Sequence, residues 1–310
     1  MDMLKVENLR VQLPAGMGLV QAADDINLSI DEGESLCLIG ETGCGKTIIA
    51  LSLMRLLPPN AMTSGKILFR GKDLLSVTDE EMRRTRGRDI SIIFEQPWTC
   101  LNPSFSVGSQ IAEALLAHGR HDRREARQRA LELMKLVSIG APQKYYKQYP
   151  HELSGGMQQR IMIAMALALN PSLLIADEPT TALDVTVQAQ IIELLKEVIL
   201  GRGISLFLIT HNLGVAAQLC DGVAVMYAGE IVEKGKLKEV FAEPKHPYTR
   251  LLLDAISDRG FKPIPGTLAE LANLPNGCRF HPRCPYAMDV CRLYRPQMIK
   301  GVRCWLWKNW

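Results

Sequence analysis

Gly40-Glu41-Thr42-Gly43-Cys44-Gly45-Lys46-Thr47 constrains this chain more than any other stretch. It satisfies the phosphate-binding pattern G-x-x-x-x-G-K-[ST], and its flanks agree with that reading. Ser35–Ile39 predicts a short buried strand entering the loop, and Ile48–Leu57 predicts a helix leaving it. The chemistry needs glycines because only a backbone free of Cβ atoms can fold its N–H groups around an anionic phosphate. The positive end of the following helix adds to the field. Lys46 is expected to neutralise the β- and γ-phosphates, and the Thr47 hydroxyl to hold Mg²⁺. A Gly-rich turn with a chance lysine would not be framed by strand and helix, so a nucleoside triphosphate is the expected ligand.

Composition bounds the rest. A chain of 310 residues that is 47% hydrophobic has material for a large core, most simply one main domain and an appendage. Its net charge of +3 is too near neutral to argue for nucleic acid. Met1–Arg10 carries charges where a secretory signal would be apolar, and the longest apolar stretch, Ile161–Leu169, falls far short of the ~20 residues of a membrane span. A soluble, cytoplasmic protein is expected. Cys37, Cys44, Cys100 and Cys220 are scattered, whereas Cys278, Cys284, Cys291 and Cys304 crowd into the tail, which in a reducing compartment suggests metal rather than disulfides.

Strands are predicted at Leu4–Leu9 and Ile26–Ile30, with a turn at Pro14–Gly18 between them, and again at Gly65–Arg70 and Asp89–Phe94. The apolar period then becomes helical in Val107–Leu116, Arg123–Val137 and Met157–Leu169. Leu173–Ala176, Ile204–Ile209 and Val223–Tyr227 read as further strands, with a helix carrying Val187, Ile191, Leu194, Leu195 and Val198 on one stripe. This alternation implies an α/β core with helical residues from about 96 to 169 inserted between strands.

The strand Leu173–Ala176 ends in Asp177-Glu178, the arrangement expected where a buried strand tip meets a Mg²⁺–nucleotide. Asp177 would hold the metal shell through water and Glu178 would act as general base on the attacking water. Just upstream, Leu153-Ser154-Gly155-Gly156-Met157-Gln158-Gln159-Arg160 places an N-cap serine and two glycines before an apolar helix, a second anion site. With these residues the chain resembles the ATP-binding subunits of ABC transporters. In that family an LSGGQ-type motif, here Ser154, Gly155, Gly156 and Gln158, caps the γ-phosphate held by the opposite subunit. The resemblance continues through Thr180-Thr181-Ala182-Leu183-Asp184, similar to the D-loop, and through His211, similar to the switch histidine that contacts the γ-phosphate and water.

Two departures stand out. Where the family carries a Mg²⁺-binding glutamine before its helical subdomain, this chain has Glu95 in Phe94-Glu95-Gln96-Pro97. A carboxylate also binds Mg²⁺, with different electrostatics, and Gln96 is one residue away. Where the family stacks adenine on an early aromatic, this chain has Leu13. Cys44 occupies a place usually given to a small hydroxyl residue. A thiol beside a lysine at a helix N-terminus is expected to have a lowered pKa and high reactivity, unless it is there simply as a small packed residue.

Farther on, His246-Pro247-Tyr248-Thr249-Arg250, Ile264-Pro265-Gly266 and Leu274-Pro275-Asn276-Gly277-Cys278 resemble ATPases of dipeptide, oligopeptide and nickel importers. The resemblance spans essentially the whole chain. It implies an ABC nucleotide-binding domain over residues 1–240 and a small cysteine-rich extension over residues 241–310. The implied cofactors are ATP and Mg²⁺. The implied partners are a second ABC ATPase subunit (this chain or a homologue), two integral-membrane permease subunits and, indirectly, an extracytoplasmic solute-binding protein, with no nucleic acid. The place is the cytoplasmic face of the membrane. Cys278, Cys284, Cys291 and Cys304 would ligate a [4Fe–4S] cluster; zinc is the alternative, although no tight C-x₂₋₄-C pair is present, and free or paired thiols remain a third. Two rival classes are weighed. A soluble ABC ATPase of DNA repair or translation would usually show two cassettes or long coiled coils. A nucleotide-switched module with little turnover would not need Glu178 and His211.

Overall fold

The computed structural model describes residues 2–16, 18–119, 122–181, 183–256 and 264–307. The chain divides into two compact units, one formed by residues 1–77 and 208–310, the other by residues 78–207. The first unit opens with strands β1 (Asp2–Ala15), β2 (Gly18–Asp31) and β3 (Ser35–Ile39), helix α1 (Lys46–Leu53), and strands β4 (Met62–Phe69) and β5 (Lys72–Asp73). The second holds α2 (Asp79–Thr85), β6 (Ile90–Ile93), α3 (Pro97–Cys100), α4 (Val107–Leu116), α5 (Arg123–Leu136), α6 (Pro142–Tyr145), α7 (Gly155–Ala166), β7 (Leu173–Asp177) and α8 (Val185–Arg202). Strand β8 (Ser205–Thr210) carries the chain back. The first unit resumes with α9 (Leu213–Leu219), β9 (Gly222–Tyr227), β10 (Glu230–Lys236), α10 (Leu237–Ala242), α11 (Pro247–Ile256) and α12 (Asp289–Leu293).

In the first unit, β1 and β2 form an antiparallel hairpin running from Leu4↔Ile30 to Ala15↔Gly18, and β4 and β5 extend it in the order β2-β1-β4-β5. The predicted strands Leu4–Leu9 and Ile26–Ile30 cover only part of this ladder. Its outer half buries Val11, Ala22 and Ala23 and adds cross-strand contacts such as Gln12 Nε2 to Gln21 Oε1 at 2.7 Å. Register shifts, with Asn8 and Asp25 in the left-handed region, break the alternation that would have made the outer half visible in the sequence.

Beside this ladder, β3 runs parallel to β9 through Ile39↔Val225, and β9 turns back into β10. The turn residues Ala228 and Gly229 both have positive φ (44° and 84°), as a two-residue hairpin turn with the natural strand twist requires. The free edge of β10 is covered by the tail: Lys234 N–H donates to Gly301 O at 2.8 Å and Arg303 N–H to Val232 O at 2.8 Å. Tyr227 at the end of β9 packs against Tyr248 and Phe280, with ring centroids 4.7 and 5.1 Å away. The tail therefore sits at the end of β9 that adjoins the loop after β3, because the two strands are parallel and in register.

In the second unit, β6 and β7 pair in parallel from Ile90↔Leu173 to Ile93↔Ala176. Every residue of β7 is buried, which explains its unbroken apolar run. Helix α4 coincides with the predicted Val107–Leu116 and begins at Ser106, whose hydroxyl accepts Ser109 N–H. Helix α5 starts on an Asp122/Glu125 capping box. Helix α7 starts at Gly155, two residues before the apolar period does, because Ser154 caps it. Gly108 is required where α4 meets the Tyr146 ring, since a Cβ there would lie 2.2 Å from ring carbons.

Candidate nucleotide-binding site

The loop between β3 and α1 has the conformation its glycines demand. Gly43 and Gly45 have φ of 83° and 108°, and a Cβ on Gly45 would lie 2.2 Å from Ala22 O. The Lys46 side chain is buried and folds back over the loop, donating from Nζ to Gly40 O at 2.8 Å and Glu41 O at 3.0 Å. Two carbonyls use two of the ammonium's three donors and leave one for an anion. Thr42, Gly43 and Thr47 are exposed, so the loop offers a hydroxyl and backbone to solvent beside a fixed ammonium. These residues fit a phosphate chain with Mg²⁺.

His211 is exposed and follows β8 directly. Its neighbour Asn212 fixes the turn, donating its N–H to Thr210 Oγ1 at 3.0 Å and accepting Gly214 N–H at 2.9 Å to cap α9.

The second unit brings together a different set. Asp177 ends β7 and is buried, and Glu178 follows it in the left-handed region at φ 48°. For a glutamate that conformation costs about 1 kcal/mol or more and aims the side chain away from the strand's regular direction. Thr181 Oγ1 donates to Glu178 Oε2 at 3.1 Å. Asp184 caps α8 by accepting Val187 N–H at 3.0 Å. Ser154 accepts Met157 N–H, and Gln158 Nε2 donates to Pro150 O at 2.9 Å, so that glutamine braces the turn before α7. Gly155 carries no steric demand, whereas a Cβ on Gly156 would lie 2.6 Å from Val187 Cγ1. The buried Gln159, given no role in the sequence reading, donates to Pro179 O at 2.7 Å and ties α7 to the Asp177-Glu178 turn. Glu95 and Gln96 are both exposed after β6, and Gln96 is the N-cap residue of α3.

The expectation of a reactive Cys44 is corrected. Its side chain is fully buried, and burial pushes the thiol's pKa up, outweighing the nearby Lys46 ammonium. Cys44 is packed against Gly40, where a Cβ would lie 2.9 Å from Sγ, so the small-residue reading holds.

The tail cysteines also differ from a ready-made tetrathiolate. Among the described residues no three His, Cys, Asp or Glu side chains are arranged to hold a metal ion. The four thiols are nonetheless within electrostatic reach of one another. Burial pushes Cys278 up to about 12 and Cys304 up to about 11, Cys291 adds to the rise in both, and Cys284 is raised by burial and by Cys291.

Comparison with known proteins agrees with this geometry. The family described as ABC transporter matches residues 23–181, and the one described as oligopeptide/dipeptide transporter, C-terminal region, matches residues 232–291. The chain belongs to the ATP-binding subunits of ABC transporters that carry this oligopeptide/dipeptide transporter C-terminal region. It is 49% identical to the dipeptide transport ATP-binding protein DppD of Bacillus subtilis, over 98% of this chain and 94% of that one. It is 46% identical to the oligopeptide transport ATP-binding protein OppD of the same organism, over 99% and 88%. Among solved structures, the ATP-binding cassette MJ0796 in a post-hydrolysis dimer bound to ADP and Pi aligns with a TM-score of 0.68 at 30% identity, covering 76% of this chain and 99% of that one. CbiO1 of Clostridium perfringens, part of the complex cbiONQ, aligns at 0.65 and 31%, covering 78% and 91%. The fold is thus the α/β ABC ATPase fold, and the protein is a transport ATPase.

Proposed function

We propose that this chain hydrolyses ATP to drive an importer of peptides or a related small solute. The observation that carries this reading is the pairing of a complete phosphate loop with a tail of the oligopeptide/dipeptide type in one chain. The nucleotide-binding domain takes residues 1–240, with the helical subdomain at about 96–169, and residues 241–310 form the extension.

In this reading Gly40–Thr47 wraps the phosphates, Lys46 swings its free donor onto them, and Thr47, Glu95 and, through water, Asp177 would hold Mg²⁺, which would supply neutralising charge to the phosphates. Glu178 takes the proton from the attacking water, and His211 positions that water and the γ-phosphate. Ser154, Gly155, Gly156 and Gln158 present the exposed start of α7 to the nucleotide of a second ATPase subunit, and Asp184 lies at the same junction. One chain carries one copy of each motif, so a complete site needs two subunits, either two copies of this chain or a homologue. Two permease subunits would receive the motion at the cytoplasmic face of the membrane, with a solute-binding protein delivering the cargo. No helix among the described residues is long and apolar enough to cross a membrane, consistent with a peripheral subunit.

Cys278, Cys284, Cys291 and Cys304 are proposed as ligands of a [4Fe–4S] cluster. The support for this reading is chemical: four cysteines in one short tail, with Cys291 influencing Cys278, Cys284 and Cys304, are a ligand set of the kind such a cluster takes. A bound cluster would supply a structural pin. Iron analysis of anaerobically purified protein tests it, and zinc without iron overturns it.

Co-expression with its permease partners and reconstitution into vesicles tests the whole reading. ATP-dependent uptake of a labelled peptide is expected. Phosphate release without any membrane partner or peptide dependence would point to the soluble class instead.

A further inference from the structure

Glu41 is an acid inside a loop whose purpose is to hold anions. A carboxylate within several ångströms of a triphosphate repels it, and at an effective dielectric of about 20 the loss at ~8 Å is tenfold or more in affinity. The structure shows where that charge goes. Arg283 comes from the cysteine-rich tail, 242 residues away in sequence, and grips Glu41 with both arms, Nη1 to Oε2 at 2.7 Å and Nη2 to Oε1 at 3.0 Å. The arginine side chain is only 4% exposed. It is held in turn by Nε donating to Pro265 O at 2.8 Å and by lying 5.8 Å over the Tyr227 ring. Gly266 leaves room for its stem, since a Cβ there would lie 3.2 Å from Arg283 Cγ.

The tail holds the backbone of the same residue too. Glu41 N–H donates to Tyr248 Oη at 2.9 Å, while Glu41 O accepts from Lys46 Nζ at 3.0 Å. Leu268 Cδ2 stands 4.0 Å from where a Cβ on Gly43 would be. Every polar group of Glu41 is therefore engaged, and the partners of both its carboxylate and its N–H come from beyond residue 240. Glu41 in turn is one of the two anchors of the phosphate-loop lysine.

We propose that Arg283 is a positioning residue for the phosphate loop: it neutralises Glu41 and fixes the anchor of Lys46, so that the C-terminal extension sets the strength with which the loop holds ATP. This rests on the reading of Gly40–Thr47 as the ATP site. The bidentate fork matters as well as the charge, because a planar guanidinium orients a carboxylate where an ammonium cannot.

The test is calorimetric titration of Mg-ATP into the purified full-length chain, with KM and kcat read in the assembled importer. Arg283→Met keeps the buried stem but removes the charge, and is expected to weaken Mg-ATP by about tenfold, through KM rather than kcat. Arg283→Lys recovers part of that loss. Glu41→Gln leaves the arginine's charge facing the phosphates and binds Mg-ATP about threefold more tightly. The double variant Arg283→Met with Glu41→Gln regains most of the affinity lost in Arg283→Met alone, which a merely structural arginine would not allow. Unchanged affinity in Arg283→Met, or a double variant as weak as the single one, overturns the proposal. If Arg283→Met does not fold, Glu41→Gln decides by itself, since weakened binding there contradicts a repelling carboxylate. Failure of the unaltered chain to bind Mg-ATP overturns the ATP-site reading itself and this proposal with it.

Discussion

At the scale of single residues, Glu178 combines a strained backbone with a partly exposed carboxylate at the tip of a fully buried strand. Strain of this kind persists only where the surroundings over-determine it, and here Gln159 and Thr181 brace the turn on either side. In the proposed role of general base, Glu178 would act on water and not on the bound phosphates. Glu178→Gln is therefore expected to lower kcat by about 10²-fold or more while Mg-ATP binding persists. Turnover within about threefold of the unaltered protein would remove Glu178 from the mechanism. Cys44 shows the opposite outcome for a residue singled out by position. Loop charge and helix dipole argue for a thiolate, but complete burial outweighs both.

At the scale of elements, α11 depends on the histidine that precedes it. His246 is buried and packs at a tilt of 55° against Phe280, with ring centroids 5.8 Å apart. Its Nδ1 accepts Tyr248 N–H at 3.0 Å, and its backbone N–H donates to Glu233 Oε2 at 2.9 Å. Burial holds the imidazole at a pKa of about 3. The sign follows from linkage. The unfolded chain takes up a proton near pH ~6.5 and the folded chain does not until about 3, so stability is complete above ~6.5 and is lost as pH falls. The loss attributable to His246 reaches about 2 kcal/mol by pH ~5. Urea unfolding at pH 7 and pH 5 measures it. In His246→Asn, whose Oδ1 can still accept Tyr248 N–H, the difference between the two pH values should shrink by that amount. An unaltered pH dependence would assign the acid sensitivity to other groups.

At the scale of the whole molecule, the tail is bolted to the β-rich part of the first unit by arginines. Glu230, 3% exposed at the β9–β10 turn, faces Arg279 Nε at 2.7 Å and Arg295 Nε at 2.6 Å. Arg279 and Arg295 also meet Asp24, and Arg303 meets Asp25 at 2.8 Å, so one strand hairpin and one turn share the same three cations. Burial raises the Glu230 carboxyl despite those arginines, which means the network is closely balanced. Removing its centre leaves buried positive charge in excess. Glu230→Ala should destabilise by about 3 kcal/mol in urea unfolding, and limited proteolysis should then cut the tail first. A shift below ~0.5 kcal/mol would show that Asp24 and Asp25 suffice without it.

What the sequence alone determined is what depends on a few consecutive residues. The phosphate loop needs Gly43 and Gly45 at positive φ and a lysine on the next helix turn, and all of that is written within Ser35–Leu53. The same holds for the Ser154 and Asp184 caps and for the buried strand that ends in Asp177. The outer half of the β1–β2 ladder was not legible, because bulges interrupt the period of two. Tertiary structure decided the rest. It buried Cys44, put Cys291 within electrostatic influence of the other tail thiols, and returned Arg283 and Tyr248 to Glu41. An acid in an anion-binding loop was the one sequence signal that a counter-charge must arrive from elsewhere. Motifs report backbone geometry over short spans, whereas desolvation and ion pairing depend on which distant segments share a low-dielectric interior, and only the folded chain sets that.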